Sequence, residues 1–146
     1  TKLPIISHWG IASGQFASAL ANPIGMYNIS VLQTFHFSHQ KNSQSKQLLE
    51  AYYNKYGLVD SQAIGGVTGL AHAYDLIHLI AAAADKAGSI EIDKLRSALE
   101  SLQDVSGAVK HYDAPFTKER HDALWSKDYF MTKYNDKGHL VTIGQK

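Results

Sequence analysis

Apolar and polar positions divide the chain into a short strand, a loop, a longer extended segment, three helices and a closing set of strands. Leu3 to Ser7 is a short apolar run followed by Trp9-Gly10, the pattern of a buried parallel strand ending in a tight loop. Ser13 to Ala21 carries Phe16, Leu20 and small residues, a weak helix stopped by Asn22-Pro23. Gly25 to Phe37 holds Met26, Tyr27, Ile29, Val31, Leu32, Phe35 and Phe37, and this β-branched and aromatic content predicts an extended strand.

Helical spacing then takes over. From Ser43 or Ser45 to Tyr56 the apolar positions Leu48, Leu49, Ala51, Tyr52 and Tyr56 fall on one face, with Gly57 as the stop signal. Gly66 to Ala87 is the strongest helical pattern: Leu70, Ala73, Ile77, Ile80, Ala84 and Ala87 share a face and the opposite face is also mostly apolar, so the helix is expected to be buried on several sides. Ser89 is the expected N-cap of a third helix in which Ile92, Leu95, Leu99 and Leu102 recur. After Asp104 the pattern changes to short strands, and Tyr129–Tyr134 with Leu140–Ile143, joined by Asn135-Asp136-Lys137-Gly138, predicts a hairpin. The order of elements predicts an α/β fold, a parallel sheet flanked by helices with a C-terminal β-hairpin.

Composition narrows the functional classes. The chain has 146 residues, 45% hydrophobic and 18% charged, with a formal net charge of +1, within the range of an ordinary folded domain. Its lysines and arginines stand singly among acids and glutamines, without the basic stripe that neutralises phosphates, so nucleic acid is not an expected partner. Cysteine is absent, which removes disulfides, thiolate nucleophiles and cysteine-based zinc sites. The chain opens Thr1-Lys2-Leu3-Pro4 with no secretion-signal pattern, so a signal peptide is expected to lie outside it. The longest apolar run, Leu76 to Ala84, is interrupted by His78 and falls short of the roughly 20 residues that span a bilayer, so no membrane crossing is expected.

The eight histidines invite a metal or acid–base reading. His36 and His39 form H-x-x-H at a strand end, where that spacing does not place both rings on one face, and no third ligand is near; His72 and His78 point to different faces of the long helix. No metal and no cofactor are expected. Gly10-Ile11-Ala12-Ser13-Gly14 differs from a nucleophile elbow by one position of spacing. Ile64-Gly65-Gly66-Val67-Thr68-Gly69 opens the long helix, where glycines allow backbone N–H groups to approach an anion; close packing alone explains the same glycines equally well. His8-Trp9-Gly10 follows a strand, and loops at strand carboxyl ends line ligand crevices in α/β folds, where a Trp offers a flat apolar contact; a Trp plugging the sheet edge is the alternative.

Four segments in this order resemble the last part of the type I periplasmic solute-binding proteins of ABC importers, the branched-chain amino-acid-binding family. They are Leu3-Pro4-Ile5-Ile6-Ser7-His8-Trp9-Gly10, the stretch Gly25-Met26-Tyr27-Asn28-Ile29-Ser30-Val31-Leu32-Gln33-Thr34-Phe35, the helix around Ala73-Tyr74-Asp75-Leu76-Ile77 running to Ala84-Asp85-Lys86-Ala87-Gly88, and the closing Tyr129-Phe130-Met131 hairpin. The resemblance implies a two-lobed fold of which residues 1–146 form the end of one lobe, a hinge crossing near Gln33 to Phe37, the late helices of the other lobe and a return crossing. It implies no enzyme, but capture of a small polar or carboxylate metabolite, an amino acid or related compound, outside the cytoplasm and delivery to a membrane permease; the alternative it leaves open is the sensing domain of a signalling receptor. By the same resemblance His8, Trp9, Gly10, Thr68 and Gly69 face the ligand. Amino-acid binders of the family carry an acid in the first of these loops, where this chain has His8-Trp9, and His121-Asp122-Ala123-Leu124 replaces a shorter glycine-containing turn. The missing first part of the family pattern implies an incomplete cleft, and apolar faces that favour self-association of the chain by itself. A hydrolase using His8 or His72 is the remaining enzymatic alternative.

Overall fold

The computed structural model describes residues 3–13, 16–20 and 22–144. Its main sheet runs in the order β1 (Pro4–His8), β2 (Asn28–Gln33), β5 (Phe130–Tyr134), β6 (Leu140–Thr142). β1 and β2 pair in parallel, with Ile5 beside Ile29 and His8 beside Leu32, while β5 runs antiparallel to β2 and forms a hairpin with β6. The fold is therefore α/β with one parallel pair and an antiparallel hairpin at the C-terminal end. In the hairpin loop the Asn135 side chain accepts from the N–H groups of Lys137 and His139, and Gly138 takes a φ of 77° that favours glycine.

The predicted strand Gly25–Phe37 is shorter than its composition suggested. Ile24–Met26 form a 3-10 turn, β2 begins at Asn28, and the ladder to β5 ends where Gln33 pairs with Phe130. Beyond that pair no partner strand continues, so Thr34 to Phe37 leave the sheet. They are buried all the same: Phe35 and Phe37 meet edge to face at 5.0 Å and pack with Leu48, Ile64, Ala71, Ala108 and Val109. A separate apolar cluster of Ile24, Ile29, Val31 and Leu140 holds the sheet side. The segment from Gln33 to Phe37 thus crosses from one core to another.

Helix α1 is Phe16–Ala19; of the weak helix expected over Ser13 to Ala21, Gly14, Gln15 and Ala21 lie outside the described residues. Helix α2 is Ser43–Tyr56, capped by the Asn42 side chain on the Ser45 N–H at 2.7 Å and closed by Gly57 in the left-handed region. The N-cap of α4 (Ile92–Glu100) is Glu91 and not Ser89, whose hydroxyl accepts instead from the Glu91 N–H two residues on. A short antiparallel pair, β3 (Val105–Ser106) with β4 (His111–Tyr112), follows.

Two burial expectations fail for one reason. Among the described residues strand β1 pairs on one edge only and its apolar residues are open, Ile5 at 45% and Ile6 at 76% exposure. Helix α3 (Val67–Ala87) buries Thr68, Ala71, Asp75, Leu79 and Ala83, and leaves Ile77 at 66% and Ile80 at 40% exposure, so one side is covered and not several. A helix apolar nearly all round does not encode which face is inside; the partners decide, and here they are α4 and the β3–β4 region. At 21 residues α3 is also long and apolar enough by length and composition to cross a membrane, which the longest uninterrupted apolar run did not suggest. Its Asp75, however, is 2% exposed and hydrogen-bonded to the β3–β4 region, the arrangement of a core helix.

Candidate functional site

The loop after β1 and the N-terminus of α3 face each other across a cavity of about 360 Å³, within the size range of small-molecule pockets. After β1 the backbone turns through a 3-10 turn, Trp9–Ala12. His8 caps it by accepting the Gly10 N–H on Nδ1 at 3.0 Å, and a Cβ on Gly10 would lie 2.6 Å from the His8 ring and displace it. The cap swings the His8 ring back over its own turn, edge-on to Trp9 at 5.4 Å, and His8 is not among the cavity's lining residues. Trp9 and Gly10 do line it, Trp9 with 37% exposure.

On the opposite wall Gly66 stands at the N-cap of α3 with φ 68° and no side-chain cap. Val67, Thr68 and Gly69 of the first turn line the cavity, and the first-turn N–H groups of a helix have no intrahelical acceptors. Thr68 is 5% exposed, and its hydroxyl lies 2.7 Å from the Gln33 side-chain amide and 3.0 Å from the Phe35 carbonyl. The Thr68 side chain thus ties α3 to the crossing segment. Trp9, Gly10, Thr68 and Gly69 of the five expected residues are brought together around the cavity, and His8 caps the turn that carries Trp9 and Gly10.

Gln33, His36, Phe16 and Tyr134 line the same cavity and were not among the expected site residues. A signal for Gln33 existed: Ile29, Val31 and Gln33 occupy alternate positions of β2 and are all buried, so a polar side chain stands at a core-facing position. His36 Nδ1 lies 2.7 Å from the Ser38 hydroxyl, and burial, followed by the nearby His39, holds its pKa below the ordinary histidine value. The crossing segment makes one more buried contact, Thr34 Oγ1 to His72 Nε2 at 2.7 Å, and burial also lowers the His72 pKa against a weaker opposing effect of Asp75. Ser13 donates its hydroxyl proton to the Gly10 carbonyl at 2.7 Å, not to a histidine, so no nucleophile–base pair forms there. Among the described residues one group of three ligand-type side chains converges, the exposed Asp104, His111 and Asp113 of the β3–β4 hairpin, which none of the sequence patterns had indicated.

No protein-family model matches the sequence, and a comparison with curated proteins finds no match. Solved structures do match. A type 1 periplasmic binding protein from Bordetella pertussis Tohama I superposes with a TM-score of 0.77 at 19% identity, over 97% of this chain and 39% of that one. The fold is that of the type 1 periplasmic binding proteins. A leucine-binding protein of Thermotoga maritima gives 0.73 at 18% identity, over 94% of this chain and 35% of its own. An ABC-transporter solute-binding protein of Rhodopseudomonas palustris, solved with benzoate, gives 0.70 at 14% identity, over 97% and 35%. The chain thus spans well under half the length of the type 1 structures that it matches, and the likeness is one of fold.

Proposed function

We propose that this chain is part of an extracytoplasmic solute-binding protein, the capture component of an ABC-type importer, which holds a small polar or carboxylate metabolite between two lobes and presents it to a membrane permease. In this reading residues 1–146 are the C-terminal part of the binding domain: the sheet side ends one lobe, Gln33 to Phe37 form a hinge crossing, and α2 to α4 belong to the other lobe. Trp9, Gly10, Thr68 and Gly69 face the ligand. No bond is made or broken; ligand acts through its extra affinity for the closed arrangement.

The observation that carries the reading is the placement of the cavity. It lies between the loop at the carboxyl end of β1 and the N-terminus of α3, beside the segment that joins the two apolar cores. Ligand cavities favour such junctions and the carboxyl ends of strands. One structural neighbour is a leucine-binding protein and another an ABC-transporter solute-binding protein solved with benzoate, which supports the same class.

Thermal denaturation of the complete polypeptide that carries this chain, scanned against carboxylates, amino acids, amides and sugars, tests it. One chemical class is expected to raise the melting temperature in a concentration-dependent way. The absence of a shift across all four classes overturns the reading.

A further inference from the structure

Ser38 fixes where His36 carries its proton. The Ser38 backbone N–H donates to His36 Nδ1 at 3.2 Å, and the Ser38 hydroxyl lies 2.7 Å from the same nitrogen. A backbone N–H can only donate, so Nδ1 keeps its lone pair and, in the neutral imidazole, the proton sits on Nε2. Turning the ring over does not offer a second solution, because it sets a carbon against the Ser38 N–H. Burial keeps the ring neutral by holding its pKa below the ordinary histidine value.

The Nε2 proton has no acceptor among the described residues. His36 is 5% exposed, yet no side-chain nitrogen or oxygen that is fully sealed from solvent lacks a partner there, so Nε2 opens onto space. The space that His36 lines is the cavity between the β1 loop and α3. A donor held so deeply without a partner costs free energy until something accepts from it. Phe35 and Phe37, on either side of His36 in the chain, are fixed in an apolar core, so the backbone that carries the ring is held. The first turn of α3 lines the same cavity, and the positive end of a helix favours an electron-rich group in that space.

We infer that His36 is a ligand-contact residue, whose Nε2–H donates to a carbonyl or carboxylate oxygen of the solute. The inference rests on the solute-binding reading and deepens it by naming one contact and its polarity. The ring does not reverse this role: moving the proton to Nδ1, so that Nε2 could accept from a solute N–H, would set two N–H groups against each other at Ser38. A solute that lacks an acceptor at this point leaves the donor unpaired.

The test uses the complete polypeptide with isotope-labelled histidine and one probe from each chemical class: benzoate, L-leucine, benzamide and glucose. Imidazole nitrogen shifts report the tautomer, with the His36 signals assigned by their loss in His36→Gln. Without probe, His36 is expected in the Nε2–H form. A probe that binds is expected to move the Nε2 signal and its proton and to leave Nδ1 near its starting value. In calorimetric titration His36→Phe, which removes the donor, is expected to weaken that probe at least about fivefold. His36→Gln, whose amide nitrogen still donates, is expected to recover part of the loss. Should the Phe variant not fold, the nitrogen signals decide. An Nδ1–H tautomer, a bound probe that leaves Nε2 unmoved, or binding of glucose alone overturns the inference and leaves solute capture standing. Binding of none of the four overturns both.

Discussion

The Asp75 carboxylate accepts a hydrogen bond from the Tyr112 hydroxyl at 2.8 Å across 37 positions of chain. It also accepts from the backbone N–H groups of Ala108 at 2.5 Å and Val109 at 2.9 Å, which pins the middle of α3 to the β3–β4 region. The environment drives the Tyr112 pKa up, through burial first and then the neighbouring Asp75 charge, so the phenol keeps its proton and donates. Asp75→Ala leaves two N–H groups and a hydroxyl without acceptors in the interior. It is expected to cost at least about 3 kcal/mol, and Tyr112→Phe about 1.5 kcal/mol, in urea denaturation of the purified chain. Equal stability of Asp75→Ala and the parent would remove the staple from the account.

Two glycines should respond to alanine in opposite directions. A Cβ on Gly107 would lie 2.3 Å from Asp75 Oδ2, so Gly107→Ala must displace the carboxylate and is expected to destabilise by about 2 kcal/mol or more. Gly69, inside α3, has open space around its Cβ position. Gly69→Ala is expected to stabilise the fold by about 0.5–1 kcal/mol through helix propensity. Melting curves of the two variants check both signs.

Acid should loosen the crossing segment before it affects the rest. His36 and His72 have folded-state pKa values below the ordinary histidine value, burial being the main cause for each. Groups depressed in this way add stability above the unfolded-state pKa of about 6.5, and that stability is lost as pH falls through the folded values. Denaturation midpoints should decline below about pH 6.5. His72→Gln, able to keep a bond to Thr34, should flatten that decline, and an unchanged acid limb in this variant would contradict the assignment.

The open stripe on α3 should make the 146-residue chain associate when it is produced alone. Leu76, Ile77 and Ile80 are 50%, 66% and 40% exposed on one side of α3. Contiguous apolar surface of this kind is uncommon on monomers. Sedimentation is expected to show dimers or larger species, and Ile77→Lys with Ile80→Lys is expected to shift them toward monomer. A monomeric parent chain at micromolar concentration would count against this.

The helices were largely legible because their signals are local. Asn42 and Gly57 bracket α2, and Gly66 and Gly88 bracket α3, by backbone geometry that a few residues dictate. The hairpin turn at Asn135 to Gly138 was legible for the same reason. The end of β2 was not. Thr34 to Phe37 have the composition of a strand, but a strand needs a neighbour, and β5 stops at Phe130.

At the site, Trp9, Gly10, Thr68 and Gly69 were singled out from loop position and family resemblance, and the fold gathers them around one cavity. Their roles toward ligand remain part of the proposal. Gln33 escaped notice because the sequence shows only a polar residue in an apolar strand, without saying what it faces.

By itself the sequence determined the order of the main helices and strands, the glycine stop after α2 and the hairpin turn, since each depends on residues within a turn or two of one another. Only the tertiary structure decided which side of α3 is covered and that Gln33 meets Thr68 at the mouth of the helix. Those outcomes rest on contacts between segments tens of residues apart, and a pattern that is apolar on every side, or polar at one isolated position, does not name its partner.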